Sequence, residues 1–260
     1  MSNPFRLALM AGAAVLSLSA AANAATIVAL TADNTLIRFD SETRRAQPAR
    51  TITGADGAVV GIDQRPQDGR LYGITVNGQI VTIDPATGRA TQVSRLNTSF
   101  QPGGRVTFDF NPVANRVRVM GAGGQNLRVN VETGEAATDG RLKNAPGERG
   151  EVAPQVVAGA YTNSVTGATA TMLLTIDSST NMLNLQSPPN DGVQAPRNRL
   201  SITVPPLVAF DILSDGTANT GYVLAGNALH LLDLTSGALT ARGNVTLPRG
   251  AEVIDIAAMR

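Results

Sequence analysis

A five-residue turn that recurs five times constrains this 260-residue chain more than any other feature. It reads Asp40-Ser41-Glu42-Thr43-Arg44, Asp84-Pro85-Ala86-Thr87-Gly88, Asn130-Val131-Glu132-Thr133-Gly134, Asp177-Ser178-Ser179-Thr180-Asn181 and Asp233-Leu234-Thr235-Ser236-Gly237, each after an alternating apolar run. An Asp or Asn at the first position accepts hydrogen bonds from backbone N–H groups two residues on. Pro at the second is pre-set for a type I turn, and Gly or Asn at the fifth tolerates the left-handed conformation that closes a hairpin. Arg44 departs from this rule and is expected to carry mild backbone strain. The first positions lie 44, 46, 47 and 56 residues apart, which marks repetition of a supersecondary unit.

A second marker precedes each unit. Apolar strands of similar shape stand at Val59-Val60-Gly61-Ile62-Asp63, Val106-Thr107-Phe108-Asp109-Phe110, Val157-Ala158-Gly159-Ala160-Tyr161, Val208-Ala209-Phe210-Asp211-Ile212 and Val253-Ile254-Asp255-Ile256-Ala257. Near-continuous apolarity describes a strand buried on both faces, as at the inner edge of a propeller blade. Period-two strands follow, giving about four strands per unit, and helical periodicity is essentially absent. The expectation is an all-β fold, a five-bladed β-propeller. The first unit opens at Thr26 on its second strand, while the inner strand at 253–257 has no unit after it. The C-terminal strand therefore joins the N-terminal blade and leaves no open sheet edge. The blades are expected at 25–58 with 253–260, 59–105, 106–156, 157–207 and 208–252. In the fourth, only 17 residues separate Ala160 from Asp177, so its second strand is fused or its turn joins different strands.

Composition excludes several functions. The chain has no Cys, no Trp and one His, which removes disulfides, thiol catalysis and Cys-ligated zinc, and leaves nothing to build a His-rich metal site or a triad. Arg6 is the only charged side chain before Ala25, so the remainder carries 20 basic and 20 acidic groups and offers no electrostatic case for nucleic acid. Residues 1–24 read as a signal peptide: Arg6, an apolar run from 7 to 18, and an Ala22-Asn23-Ala24 cleavage site. The expectation is a single β-propeller domain over 25–260 that is periplasmic or secreted, is not inserted in the membrane after cleavage, needs no cofactor and is monomeric.

The order of Gly61-Ile62-Asp63-Gln64-Arg65-Pro66, Leu71-Tyr72-Gly73, Phe108-Asp109-Phe110-Asn111-Pro112, Asn115-Arg116-Val117-Arg118-Val119, Gly124-Gln125-Asn126-Leu127-Arg128, Ala160-Tyr161-Thr162-Asn163 and Pro188-Pro189-Asn190-Asp191-Gly192 resembles the exported bacterial domain of unknown function numbered 4394. Gln64 stands where an apolar residue is more usual. The resemblance implies a secreted, propeller-like domain and no particular activity.

Inner strands of propellers run away from the ligand face, which sorts the polar residues. Asp63, Asp109 and Asp211 fall at the far end, together with Asp40, Asp84, Asp177 and Asp233. Their regular repetition favours capping of strands and turns over a cation ring, and no metal site is assigned. The ligand face collects Asn34, Asn77 with Gln79, Gln125, Asn126 and Asn227 from short loops, and Arg105, Arg149, Glu148, Glu151, Asn190, Asp191 and Arg249 from longer ones. Gln125 and Asn126, behind the glycines at 121–124, are the leading candidates, since glycine lets a ligand approach backbone closely. Arg116, Arg118 and Arg128 form either a basic stripe or pairs with Glu132, Glu135 and other acids on a solvated sheet face. His230 is expected to pack in a strand. No catalytic residue is assigned. The expected role is a noncatalytic ligand-binding or interaction module for a small molecule, glycan or envelope protein. A propeller glycoside hydrolase is the alternative. It would draw two acids from Glu148, Glu151, Asp191, Glu252 and Asp56, about 5 to 9.5 Å apart over the central channel. A structural envelope component is the third reading.

Overall fold

The computed structural model describes residues 24–147 and 152–260; the expected signal peptide (residues 1–24, of which only Ala24 is described), Glu148, Arg149 and Glu151 lie outside them. Five small sheets form a ring, in the order of strands that the sequence predicts. The inner strands are Val253–Met259, Val59–Gln64, Thr107–Asn111, Val156–Tyr161 and Val208–Ser214, for blades 1 to 5. Each packs on the next around a central axis, and the last returns to the first. Thr26–Thr31 pairs antiparallel with Val253–Met259, with Ile27 opposite Ala258 and Ala29 opposite Ile256, so the two ends of the chain complete one sheet. Among the described residues no helix is long and apolar enough to cross a membrane.

The repeated turn behaves as its residues dictate. Oδ1 of Asp40, Asp84, Asn130 and Asp233 accepts the N–H two residues on. The fifth residue returns its N–H to the carbonyl of the first at 2.8 to 2.9 Å. Gly88, Gly134 and Gly237 hold φ near +77°, and Arg44 is forced to φ 58°. In blade 4 the turn joins different strands, as the short spacing allows. It links Leu173–Asp177 to Met182–Gln186, the second strand to the third, whereas elsewhere it links the third to the fourth. Asp177 thus lies on the face opposite Asp40, Asp84 and Asp233, a correction to the placement expected from repetition. The blade boundaries also shift slightly. Val156 starts the fourth inner strand, and Lys143–Asn144 adds a parallel fifth strand to the fourth sheet by pairing with Val193–Arg199.

Apolar clusters fill four of the five junctions among the described residues. Ile27, Phe39, Leu224 and Ile256 lie between blades 1 and 5, and Ile176, Leu183, Phe210 and Val223 between 4 and 5. Ile74, Ile80, Phe108 and Leu127 join blades 2 and 3, and Val28, Leu30, Ile62 and Val81 join 1 and 2. Each fully buried large side chain contributes about 1.5–3 kcal/mol. The junction of blades 3 and 4 is polar instead. Arg118, 2% exposed, donates to the Asp139 carboxylate at 2.6 Å, to Asn126 Oδ1, to Asn190 Oδ1 and to the Tyr161 hydroxyl. Arg128 shares the same Asp139. Arg118 and Arg128 are thus paired with an acid, Asp139, while Glu132 pairs with Arg65.

Two stability tests follow from closure and from turn geometry. Deleting residues 253–260 removes an inner strand and exposes the edge of Thr26–Thr31. Calorimetry of the truncated protein should show no cooperative transition, and an unchanged transition would contradict closure. At Gly134 an added Cβ would sit 1.8 Å from the Arg95 carbonyl oxygen with φ at +77°. Gly134→Ala should cost at least about 2 kcal/mol in urea unfolding, from strain and overpacking together.

Candidate functional site

The central channel carries carboxyl groups, and they act between blades. Asp63 Oδ2 accepts the Phe110 N–H at 2.7 Å, Asp109 Oδ1 the Tyr161 N–H at 2.9 Å, Asp211 Oδ2 the Ala258 N–H at 2.6 Å, and Asp255 Oδ2 the Ile62 N–H at 2.9 Å. Each bond crosses from one inner strand to the next and ties blade 2 to 3, 3 to 4, 5 to 1 and 1 to 2. Asp63, Asp211 and Asp255 also accept the N–H of the next residue of their own strand on the other oxygen, so they tie blades together as well as capping locally. Blade 4 has Ala158, Gly159 and Ala160 in this region and supplies no such carboxyl.

Asp63, Asp109 and Asp211 converge, with carboxylate oxygens within 4.8 Å of one another and each at least nine-tenths buried. Burial first, then the neighbouring carboxylates, pushes Asp63 and Asp109 well above the usual carboxylate range. Burial raises Asp211 to about 6, against hydrogen bonds from Ala258, Ile212 and the Asp109 side chain. Asp255 is raised by burial to about 8, against the pull of the Ile62 N–H and Arg105. Burial and mutual repulsion thus push the group towards its protonated forms, which favours sharing of protons among the carboxyl groups.

The mouth beside these acids is narrowed by the loop after the fourth inner strand. Ser164, Val165 and Thr166 line it opposite Arg65 and Arg260, and the Thr166 hydroxyl donates to the Pro66 carbonyl. At the other mouth, where inner strands begin, lies a cleft of about 830 Å³. Its floor is glycine-rich, with Gly103, Gly104, Gly121, Gly123 and Gly124, and its walls include Leu142, Val156, Val157, Pro206, Leu207 and Ile254. Arg105 reaches across it from the start of blade 3. Its Nη2 donates to the Val208 carbonyl at 2.6 Å and its Nε to the Val157 carbonyl at 3.3 Å. Its Nη1 is buried and has no hydrogen-bond partner among the described residues. Burial pulls this guanidinium below its ordinary value, against the opposing fields of Asp255 and Glu252.

Of the seven described among the eight residues singled out from sequence, Arg105 alone lines this cleft. Gln125 supports it indirectly: Oε1 accepts the Gln101 N–H and Nε2 donates to the Ser99 carbonyl, which pins the segment leading to Arg105. Asn126 is 1% exposed and locked between Arg118, the Gly140 carbonyl and the Pro189 carbonyl, so it is a core residue. Asn34, at φ 62°, ties the Ile52 carbonyl to the Val59 N–H. Asn77 donates to the Asp56 carbonyl. Asn227 is exposed in a turn and holds Val245 through its carbonyl, and Asp191 is exposed in the short 3-10 turn Pro189–Asp191. Arg149 falls outside the described residues. His230 is buried in its strand with Nδ1 against the Ala228 carbonyl. Arg141 and Leu207, both in the cleft, carry no pattern in the sequence that marks them.

Carboxyl groups raised above their unfolded value of 3.8 stabilise the fold fully below about pH 4 and lose that contribution as pH rises through the folded value. The loss set by Asp211 therefore runs from about 4 to about 6, and that set by Asp255 from about 4 to about 8. The thermal midpoint should fall between pH 5 and about pH 8.5. Asp211→Asn, measured by calorimetry across the same range, should remove part of the fall below about 6, and Asp255→Asn the part that continues up to about 8. A midpoint flat over this window would contradict the shared-proton arrangement.

Comparison with known proteins agrees with the fold. A solved structural-genomics protein of unknown function from Bacteroides thetaiotaomicron VPI-5482 superposes with a TM-score of 0.54 at 15% identity, over 88% of this chain. The chain spans 63% of that protein, and likeness at this identity speaks for the fold alone. No curated protein matches the sequence. With the model of the domain of unknown function DUF4394 matching residues 35–257, the chain belongs to that family.

Proposed function

We propose that this propeller is a noncatalytic ligand-binding module acting in the periplasm or outside the cell, with its ligand site in the cleft at the mouth where the inner strands begin. The observation that carries the reading is Arg105, which enters a glycine-floored cleft of about 830 Å³ with a buried Nη1 donor left free. Loops above a rigid ring place such a group without the ring itself having to move. The leader ending Ala22-Asn23-Ala24 supports export.

The hydrolase alternative finds less support. None of the residues lining the cleft is an acid among those described. Asp56 is engaged by the Thr75 hydroxyl and by an ion pair with Arg95, and Glu252 and Asp191 are exposed outside the cleft lining.

The test is thermal-shift screening of residues 25–260 against glycans, peptides, organic acids and metal ions, repeated on Leu207→Trp, which fills the cleft. A ligand at 100 times its Kd stabilises by about 2.7 kcal/mol. The expected result is a stabiliser whose effect Leu207→Trp abolishes. Stabilisers indifferent to that substitution would place binding elsewhere, and turnover of a chromogenic glycoside would overturn the noncatalytic reading.

A further inference from the structure

The charge balance of Arg105 differs from that of the other inward-facing arginines. Arg65 and Arg118 are each within 4 Å of a carboxylate, and Arg118 spreads its donors over four side chains. Arg105 makes no ion pair among the described residues and rests on two neutral carbonyl oxygens. Asp255 and Glu252, whose fields reach it, make no ion pair with it: both Asp255 carboxyl oxygens accept backbone N–H groups, from Ile62 and Ile256, and burial raises that carboxyl to about 8, while Glu252 is exposed outside the cleft lining. A guanidinium cannot shed its proton at neutral pH, so it needs an acceptor of negative charge.

The cleft around it supplies none. Its described lining holds a second arginine, Arg141, and no Asp or Glu. The walls are apolar, and Leu207 is 38% exposed, although its strand neighbour Val208 is fully buried. Pockets of this type, apolar walls with few placed polar groups, select a ligand by its body and orient it by its head. A neutral sugar would leave the apolar walls unmatched and the charge uncompensated. A small inorganic anion would satisfy Arg105 and leave the walls wet.

Resting on the binding-module reading, we propose that the cleft takes a small amphiphilic organic acid, its carboxylate on Nη1 of Arg105 and its hydrocarbon body along Leu207, Pro206, Leu142 and Ile254. Arg141, on the rim, adds to the field that draws the anion in and lends the binding a dependence on salt.

Isothermal titration calorimetry of residues 25–260 at pH 7 tests this with three probes: octanoate, octanol, which keeps the body without the charge, and acetate, which keeps the head without the body. Octanoate should bind one to one and at least tenfold more tightly than either. Arg105→Gln should weaken octanoate at least tenfold. Because Arg105 also contacts two inner strands, Leu207→Glu serves as a second variant at an exposed position. It places a carboxylate beside the guanidinium and should weaken octanoate to a similar extent without changing the circular dichroism or the thermal midpoint. Absence of octanoate binding, or octanoate binding unchanged in Leu207→Glu, would overturn the proposal. Octanol binding as tightly as octanoate and blocked by Leu207→Trp would overturn the acid and leave the binding module standing. A screen whose every stabiliser ignores Leu207→Trp would remove both.

Discussion

The antiparallel pairing of Thr26–Thr31 with Val253–Met259 is the constraint on which the rest of the molecule depends. Sheets radiating from an axis expose an unpaired edge and an apolar face at any gap, and a ring with a gap has no defined centre. Once the two ends of the chain share one sheet, the five inner strands are brought close enough for side chains to reach from each strand to the next. The cross-blade bonds of Asp63, Asp109, Asp211 and Asp255 exist only because closure fixes those distances. The narrowness that permits them also forces three carboxyl groups together, which is why burial and mutual repulsion push them above the range of isolated surface aspartates.

Much of this was legible in the residues. The turn Asp-x-x-x-Gly has a local cause, side-chain capping and a left-handed fifth residue, so its recurrence reports real structure in every blade. The complementary incompleteness of the two ends named the closing strand. What misled was the assumption that a repeated motif occupies a repeated place. Asp177 makes the same turn as its counterparts, with Oδ1 accepting the N–H groups of Ser179 and Thr180, yet between other strands. Turn chemistry is decided within five residues, and which strands a turn connects is decided by the length of chain before it.

The site was less readable, and the reason lies in how polar residues are used. An amide in a loop after glycine looks the same in sequence whether it faces a ligand or a neighbouring backbone. Asn34, Asn77 and Asn126 all proved to be engaged by backbone or by Arg118, since a ring of separate sheets has many junction N–H and carbonyl groups to satisfy. Arg105 was singled out as a loop residue, and the structure places it in the cleft with Leu207 and Ile254, which come from distant parts of the chain. The convergence of Asp63, Asp109 and Asp211 was likewise hidden, as it depends on the width of the channel and not on spacing along the sequence.

Four of the five blade junctions are tied by carboxyl side chains that accept backbone N–H groups, and the junction between blades 4 and 5 is not. There Arg105 bridges two backbone carbonyls, and Asn163 and Asn219 pair side by side on the opposite face. The Arg105 stitch at that seam therefore has reversed polarity, donor from the side chain and acceptor from the main chain, while Asn219 Oδ1 accepts the Asn163 N–H. Alkali strips protons from the carboxyl stitches but leaves a guanidinium unchanged, so the seam that a ligand would touch is also the one least altered by the acidity of its surroundings.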